Sequence, residues 1–263
     1  MIGTLTTNAA ILVAAIVILW LVSIRLRDVS FIDSFWPLGM VMLAVSTFIQ
    51  AHDGAPQRKL LLLVLTSLWG LRLSIHLFTR WRAEGEDPRY KRILGGAIEK
   101  KGWSFARASL LLVFAMQAPL LFIVCLPAQL GQIAAVPPAN GWLAAAGTIL
   151  ALAGIGFETA GDWQLRRFRA DPASKGKVLD TGLWRYTRHP NYFGDCCVWW
   201  GLWLIAAETA AGLWAVAGPL LLTWLLTRLS GVPMLERSLR KRRPGYEDYI
   251  RRTSSFLPWP PKS

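Results

Sequence analysis

Charge is what this sequence has least of. Only 17% of its 263 residues are Asp, Glu, Lys or Arg, where a soluble domain carries about 25%. The shortfall comes from long stretches with no charge at all, which excludes an ordinary soluble domain and points to a chain that crosses a membrane. Acidic charge is scarcer still, with 16 Asp and Glu against 29 Lys and Arg and a net charge of +13. That excess would suit nucleic acid. The basic residues, however, fall in blocks between apolar segments, where they face anionic membrane lipids, so no nucleic-acid partner is expected. Cys125, Cys196 and Cys197 have no metal-ligand spacing, and the last two are adjacent, which is poor disulfide geometry. They are expected to fill apolar space, with no metal site. No GxGxxG and no Walker sequence occurs, so neither a Rossmann nor a P-loop nucleotide site is supported. Internal repeats are missing too, and nothing calls for an obligate protein partner. The opening MIGTLTTNAA has no basic stretch and no clear cleavage site, so the first apolar run is expected to be a retained helix.

What is present is a series of uncharged apolar runs. Seven spans are expected, at about 9–24, 36–50, 60–78, 109–127, 141–157, 196–207 and 212–229. With the N-terminus outside and the helices alternating, 26 of the 29 Lys and Arg fall on the inner side. A wrong count would scatter them, so the expected fold is an all-α polytopic membrane bundle of about seven helices with a cytoplasmic C-terminus. The whole of 1–263 forms one membrane domain, including a cytoplasmic loop at 166–195 and a tail at 230–263. The segment 80–107 mixes both signs and reads as a cytoplasmic loop carrying a short surface helix, and 131–141 as an outer linker.

Several residues are not explained by a membrane anchor alone. Asp33 opens the second span in DVSFIDSFWPLG, either solvated at the headgroups or turned into the bundle, where ionisable groups are costly and often functional. Trp69, Arg72 and His76 share one face of the third helix, although Arg72 could snorkel to the basic end. Glu158, Asp162, Arg166 and Arg169 form a stripe in GFETAGDWQLRRFR, either a ladder of ion pairs or a wall suited to phosphate, which arginine binds with its planar fork. TGLWRYTRHPNYFGD packs donors and acceptors (Arg185, Arg188, His189, Asn191, Tyr192, Asp195) around Pro190 and Gly194. An interfacial anchor has no need of His-Pro-Asn-Tyr followed by Gly-Asp. In the tail, Glu236 is expected to pair with Arg240 at i,i+4, Pro244–Gly245 to break the helix, and Tyr246 and Tyr249 to follow.

TGLWRYTRHPNYFGD strongly resembles the C-terminal signature of the steroid 5α-reductase family, in particular a bacterial branch described as a domain of unknown function. FIDSFWPLG, WGLRLSIHLFTRWRAEGEDPRY, GDWQLRRFR and RRPGYEDYIRRTSSFLPWPP extend the resemblance over roughly residues 25 to 260. The RHPNYFG stretch is also similar to isoprenylcysteine carboxyl methyltransferases and phospholipid methyltransferases. Asn191 and the N-terminal half favour the reductases, and the lone Glu236 departs from the paired glutamates of the methyltransferases. The resemblance implies a seven-helix bundle that binds NADPH from the cytoplasmic side and passes hydride to a carbon–carbon double bond of an apolar, steroid-like or other lipid substrate. It implies a cofactor set of Asp162, Arg166, Arg169, Arg188, Asn191, Tyr192, Asp195 and Glu236, and Arg72 and Tyr249 are expected to join it. Asp33 falls where the steroid enzymes have a catalytic Glu, and Trp69 roughly where they have a catalytic Tyr. Trp is no acid of phenol strength, so His76 is the expected substitute. The alternatives are an S-adenosylmethionine-dependent methyltransferase and a lipid-binding membrane protein without catalysis.

Overall fold

The computed structural model describes residues 1–137, 141–229 and 231–262. Part of the outer linker anticipated at 131–141, and the first and last positions of the tail 230–263, therefore lie outside the described residues. The chain is helical throughout, with no strand among the described residues. In chain order the helices are α1 (Ile2–Leu26), α2 (Ile32–Gln50), α3 (Pro56–Glu84), α4 (Pro88–Lys101), α5 (Phe105–Val124), α6 (Leu126–Leu130), α7 (Trp142–Ala170), α8 (Pro190–Ala206), α9 (Ala217–Trp224), α10 (Val232–Arg242) and α11 (Tyr246–Arg252).

Six segments are long and apolar enough to cross a membrane: α1, α2, α3, α5, α7, and the run Ala210–Arg242 that contains α9 and α10. The seventh apolar helix, α8, has 17 residues, about 26 Å of rise against a hydrocarbon core of roughly 30 Å. It starts at Pro190, six residues before the expected span, because proline is accommodated in the first turn of a helix, where its missing N–H costs nothing. Large apolar side chains such as Ile18, Ile75, Ile149 and Trp214 lie on the outer surface, as a lipid-facing bundle requires. The interior is filled by Trp69, Trp199, Phe114, Leu62 and Leu202.

Local chemistry sets the helix ends. The Asp87 carboxylate accepts from Arg89 N–H and Pro88 follows, starting α4; Gly102, left-handed at φ 65°, ends it. This is the surface helix anticipated within 80–107. α7 lacks a cap of its own, and Glu208, from the turn after α8, accepts from the N–H groups of Gly141 and Ala144 at 2.7 and 2.9 Å. Arg58, in the first turn of α3, is fully buried and donates to the carbonyls of Gly131, Ala134 and Pro137. At the same end Asn8 of α1 is fully buried, donating to Thr47 of α2 and Gln129 of α6, and accepting from Ser46 and Gln50. Interhelical bonds of this kind fix register where apolar burial in lipid cannot.

α7 and α8 pack closest of all, and glycine is the reason. A Cβ on Gly154 would lie 2.6 Å from the Gly194 carbonyl and 2.8 Å from Val198 N. One on Gly194 would lie 2.6 Å from Glu158 N, and one on Gly201 would lie 2.7 Å from Ala151 N. Backbone therefore touches backbone along most of α8, the small-residue packing typical of membrane helices.

Candidate functional site

The expected face of α3 exists and points into the bundle against α7. Trp69 Nε1 donates to Glu158 Oε2 at 3.0 Å. Arg72 spans both acids of α7: Nη2 lies 2.6 Å from Glu158 Oε1, and Nη1 donates to Asp162 Oδ2 at 2.9 Å. One turn on, His76 Nε2 lies 3.8 Å from the same Asp162 oxygen. The third wall is α8, where Asn191 Nδ2 donates to Asp162 Oδ1 at 3.3 Å. On the same helix face Trp199 meets Trp69 edge-to-face at 5.2 Å. Asp195 lies between these two residues on α8, and its Oδ1 is sealed from solvent without a hydrogen-bond partner. Arg72 Nε and Trp199 Nε1 are buried and unpartnered as well. One arginine thus faces three carboxylates, of which Glu158 and Asp162 are 3% and 7% exposed. Buried polar atoms without partners cost stability, so each needs a reason.

The α7 stripe does not form the ladder considered from sequence. Glu158 and Asp162 turn inward to α3, whereas Arg166 and Arg169 are exposed beyond the bundle. Arg169 pairs across with Glu84 at 3.6 Å. Arg80 and Arg166 make no ion pair among the described residues, yet both act electrostatically on His76. Beyond the acid-rich interior thus lie guanidinium groups without an ion pair among the described residues.

Asp33 lies apart from that face, with no hydrogen bond to Trp69 or His76 among the described residues. It accepts from Tyr90 Oη at 2.6 Å and from Arg89 Nη2 at 2.9 Å, which dock α4 on the start of α2. Burial first, and the Asp33 carboxylate second, push the Tyr90 phenol well above its ordinary range, so it stays a donor. Burial would raise the Asp87 carboxyl, but the bonds from Arg89 outweigh it and hold it low. Asp33 also borders a cavity of about 250 Å³ with Leu77, Arg80, Trp81 and Glu84. Replacing Asp33 by Asn should loosen α4 from the bundle. Trypsin should then cut after Lys91, Arg92 or Lys100 several-fold faster than in the wild type, since local opening governs such cleavage. An unchanged digestion pattern would show that α4 docks without this contact.

The signature loop is tied to the tail. Arg188, 7% exposed, donates Nε to Glu236 Oε1 at 2.8 Å and Nη1 to the carbonyls of Ile250 and Thr253. Glu236 does not pair with Arg240 as the helix spacing suggests. It lies on the buried side of α10, where His189 Nε2 also meets it at 3.0 Å, and Arg240 turns to Glu247 instead. Burial lowers His189 despite Glu236, leaving a neutral ring whose Nε2–H donates and whose Nδ1 is buried without a partner. Tyr249 Oη donates to the Trp184 carbonyl, and Tyr192 stacks on His189 at 5.4 Å. Gly245, at φ 82°, breaks the tail where Pro244–Gly245 signals it.

The structure therefore brings Trp69, Arg72, His76, Asp162, Asn191 and Asp195 together and places Arg166 and Arg169 beyond their open end. Arg188, Glu236 and Tyr249 support the loop from behind. Sequence reasoning left three participants out of the candidate set. Glu158 was visible through its spacing to Asp162. Trp199 carried no signal beyond an apolar run, and Tyr90 none beyond a mixed loop.

A helical bundle crossing the membrane, with a charged polar centre between three of its helices, defines a polytopic membrane protein with a buried candidate site. The chain belongs to the family described as "Protein of unknown function (DUF1295)", whose model matches residues 19–253. It is similar to "Uncharacterized protein C594.04c" of Schizosaccharomyces pombe, at 22% identity over 274 residues, covering 92% of this chain and 76% of that protein. No solved structure matches it.

Proposed function

We propose that the protein is an NADPH-dependent membrane reductase that reduces a carbon–carbon double bond of a steroid-like or other lipid substrate. The observation that carries this reading is the convergence of Arg72, Asp162, Asn191 and Asp195 in an apolar bundle, next to Arg80 and Arg166, which make no ion pair among the described residues. What supports a dinucleotide there is the chemistry of the polar groups. Asp195 Oδ1 and Arg72 Nε are a buried acceptor and donor without partners, suited to amide and hydroxyl groups, and exposed guanidinium groups suit phosphate. Asp162, Asn191, Tyr192 and Asp195 would hold the inner part of the cofactor and Arg166 and Arg169 its phosphates, with Arg188, Glu236 and Tyr249 fixing the loop that carries Asn191.

Bound NADPH would supply hydride to one carbon of an activated double bond. The neighbouring carbon takes a proton, and charge developing on a conjugated oxygen needs a donor in a dry site. His76, 20% exposed and 3.8 Å from Asp162, would pass a proton inward. Trp69 orients Glu158 rather than acting as an acid. Asp33 borders the cavity beside α4, where a lipid headgroup would enter. The basic end of the bundle is assigned to the cytoplasm on the distribution of Lys and Arg, and the membrane to the bacterial inner membrane.

NADPH should raise the unfolding temperature of the detergent-solubilised protein saturably, because a ligand bound only by the folded state adds stability. Asn191→Ala should weaken that binding about ten-fold. Stabilisation by S-adenosylmethionine with none by NADPH would replace the reductase reading with the methyltransferase one. Stabilisation by neither would leave a lipid-binding protein.

A further inference from the structure

A second basic site lies outside this cluster, where the tail returns to the signature loop. Residues 254–259 run beside 186–188: Arg188 N donates to the Ser254 carbonyl at 2.9 Å, Thr187 Oγ1 to that of Phe256 at 2.8 Å, and Trp259 N to that of Tyr186 at 3.0 Å. This strap, 254–259, lies on a loop that is itself pinned to the bundle through Leu183 N on Gln164 Oε1 and Trp184 Nε1 on the Gly161 carbonyl. The loop is thereby anchored about two turns before the basic end of α7.

Under the strap is an open cavity of about 410 Å³ lined by Asp180, Thr181, Gly182, Arg185, Arg252 and Lys262, among others. Arg252 is engaged by Asp180 at 2.7 Å. Among the described residues Arg185 and the Lys262 ammonium make no ion pair, so neither cation of the cavity is compensated by any of them. Beside it the strap exposes apolar surface: Leu257 is 64% exposed, Trp259 69% and Tyr186 43%. Tryptophan and tyrosine at a membrane boundary sit at headgroup level with their rings toward the acyl chains. A purely aqueous anion site has no use for that rim.

We propose that this cavity binds the phosphate of an anionic membrane phospholipid, with Arg185 and Lys262 on the phosphate and Trp259 and Leu257 against the upper acyl chain. Phosphate oxygens accept from both cations at once, and the strap supplies the apolar side that free phosphate does not need. The site is independent of the reaction proposed above.

The test is thermal unfolding of the detergent-solubilised full chain titrated with short-chain phosphatidylglycerol, short-chain phosphatidylcholine or inorganic phosphate. Phosphatidylglycerol should stabilise saturably, phosphatidylcholine should not, and inorganic phosphate should need far higher concentration. Arg185→Ala with Lys262→Ala should weaken the phosphatidylglycerol effect roughly ten- to thirty-fold, and Trp259→Ala should weaken it several-fold without changing the response to phosphate. Both positions are exposed, so the unliganded variants should melt like the wild type. Equal stabilisation of the wild type and the double variant would overturn the site. Equal potency of phosphate and phosphatidylglycerol, with Trp259→Ala silent, would overturn the lipid as its occupant.

Discussion

Arg72→Ala should cost the protein on the order of 3 to 5 kcal/mol, the penalty for breaking a buried pair and leaving its charges behind. Two carboxylates depend on this guanidinium at 2.6 and 2.9 Å, and both are more than nine-tenths buried. Water replaces it poorly, because Glu158 and Asp162 are themselves almost fully buried between α3, α7 and α8. Arg72→Lys should recover part of the loss. It restores the charge, but a single ammonium cannot span Glu158 and Asp162 as the fork does. A triple variant, Arg72→Met with Glu158→Gln and Asp162→Asn, should be more stable than Arg72→Met alone, since it removes the two acids that the arginine bridges and leaves only Asp195 without it. Thermal unfolding and monodisperse elution in detergent decide the matter. An Arg72→Ala protein that melts with the wild type would mean that the acids are solvated.

The second large effect concerns a residue with no side chain. Gly154→Val should separate α7 from α8, because its Cβ alone would enter the Gly194 carbonyl and Val198 N. Overpacking costs about 1 to 3 kcal/mol when side chains can yield, and here the obstacle is backbone, so folding should fail or fall by at least that much. Gly156→Val, two positions on, meets nothing within 4 Å and should behave as wild type, apart from the small cost of valine in a helix. Because α7 and α8 carry Asp162 and Asn191, any Gly154 variant that survives should also bind NADPH weakly if the proposed site is correct. Equal elution profiles for the two variants would refute the backbone contact.

The contrast between these glycines shows where the sequence stops being legible. The apolar runs were readable because lipid demands length and the absence of charge, and the face of Trp69, Arg72 and His76 because helical spacing is fixed. The partner of that face was half visible in the spacing of Glu158 and Asp162. That the acids would turn to α3, and not to Arg166 one turn away, depends on how closely α7 can approach its neighbours, which no local pattern states. Glu236 misled for a similar reason: spacing offers Arg240, but burial decides for Arg188 and His189. Asp33 met Tyr90 across a chain separation of 57 residues, and long-range pairs of this kind leave no trace in a single sequence.

The latch between the signature loop and the tail also sets an order of events during synthesis. Arg188 and the carbonyls it holds are 62 and 65 residues apart, and α8 and α9 must be made and inserted between them. While the ribosome is still extending the chain, Arg188 and His189 wait at the membrane surface without Glu236. Nascent protein halted before the tail emerges should therefore expose that loop to protease and to quality-control factors, however well its helices have inserted. Completion of this one knot would mark the moment at which the newborn chain becomes resistant.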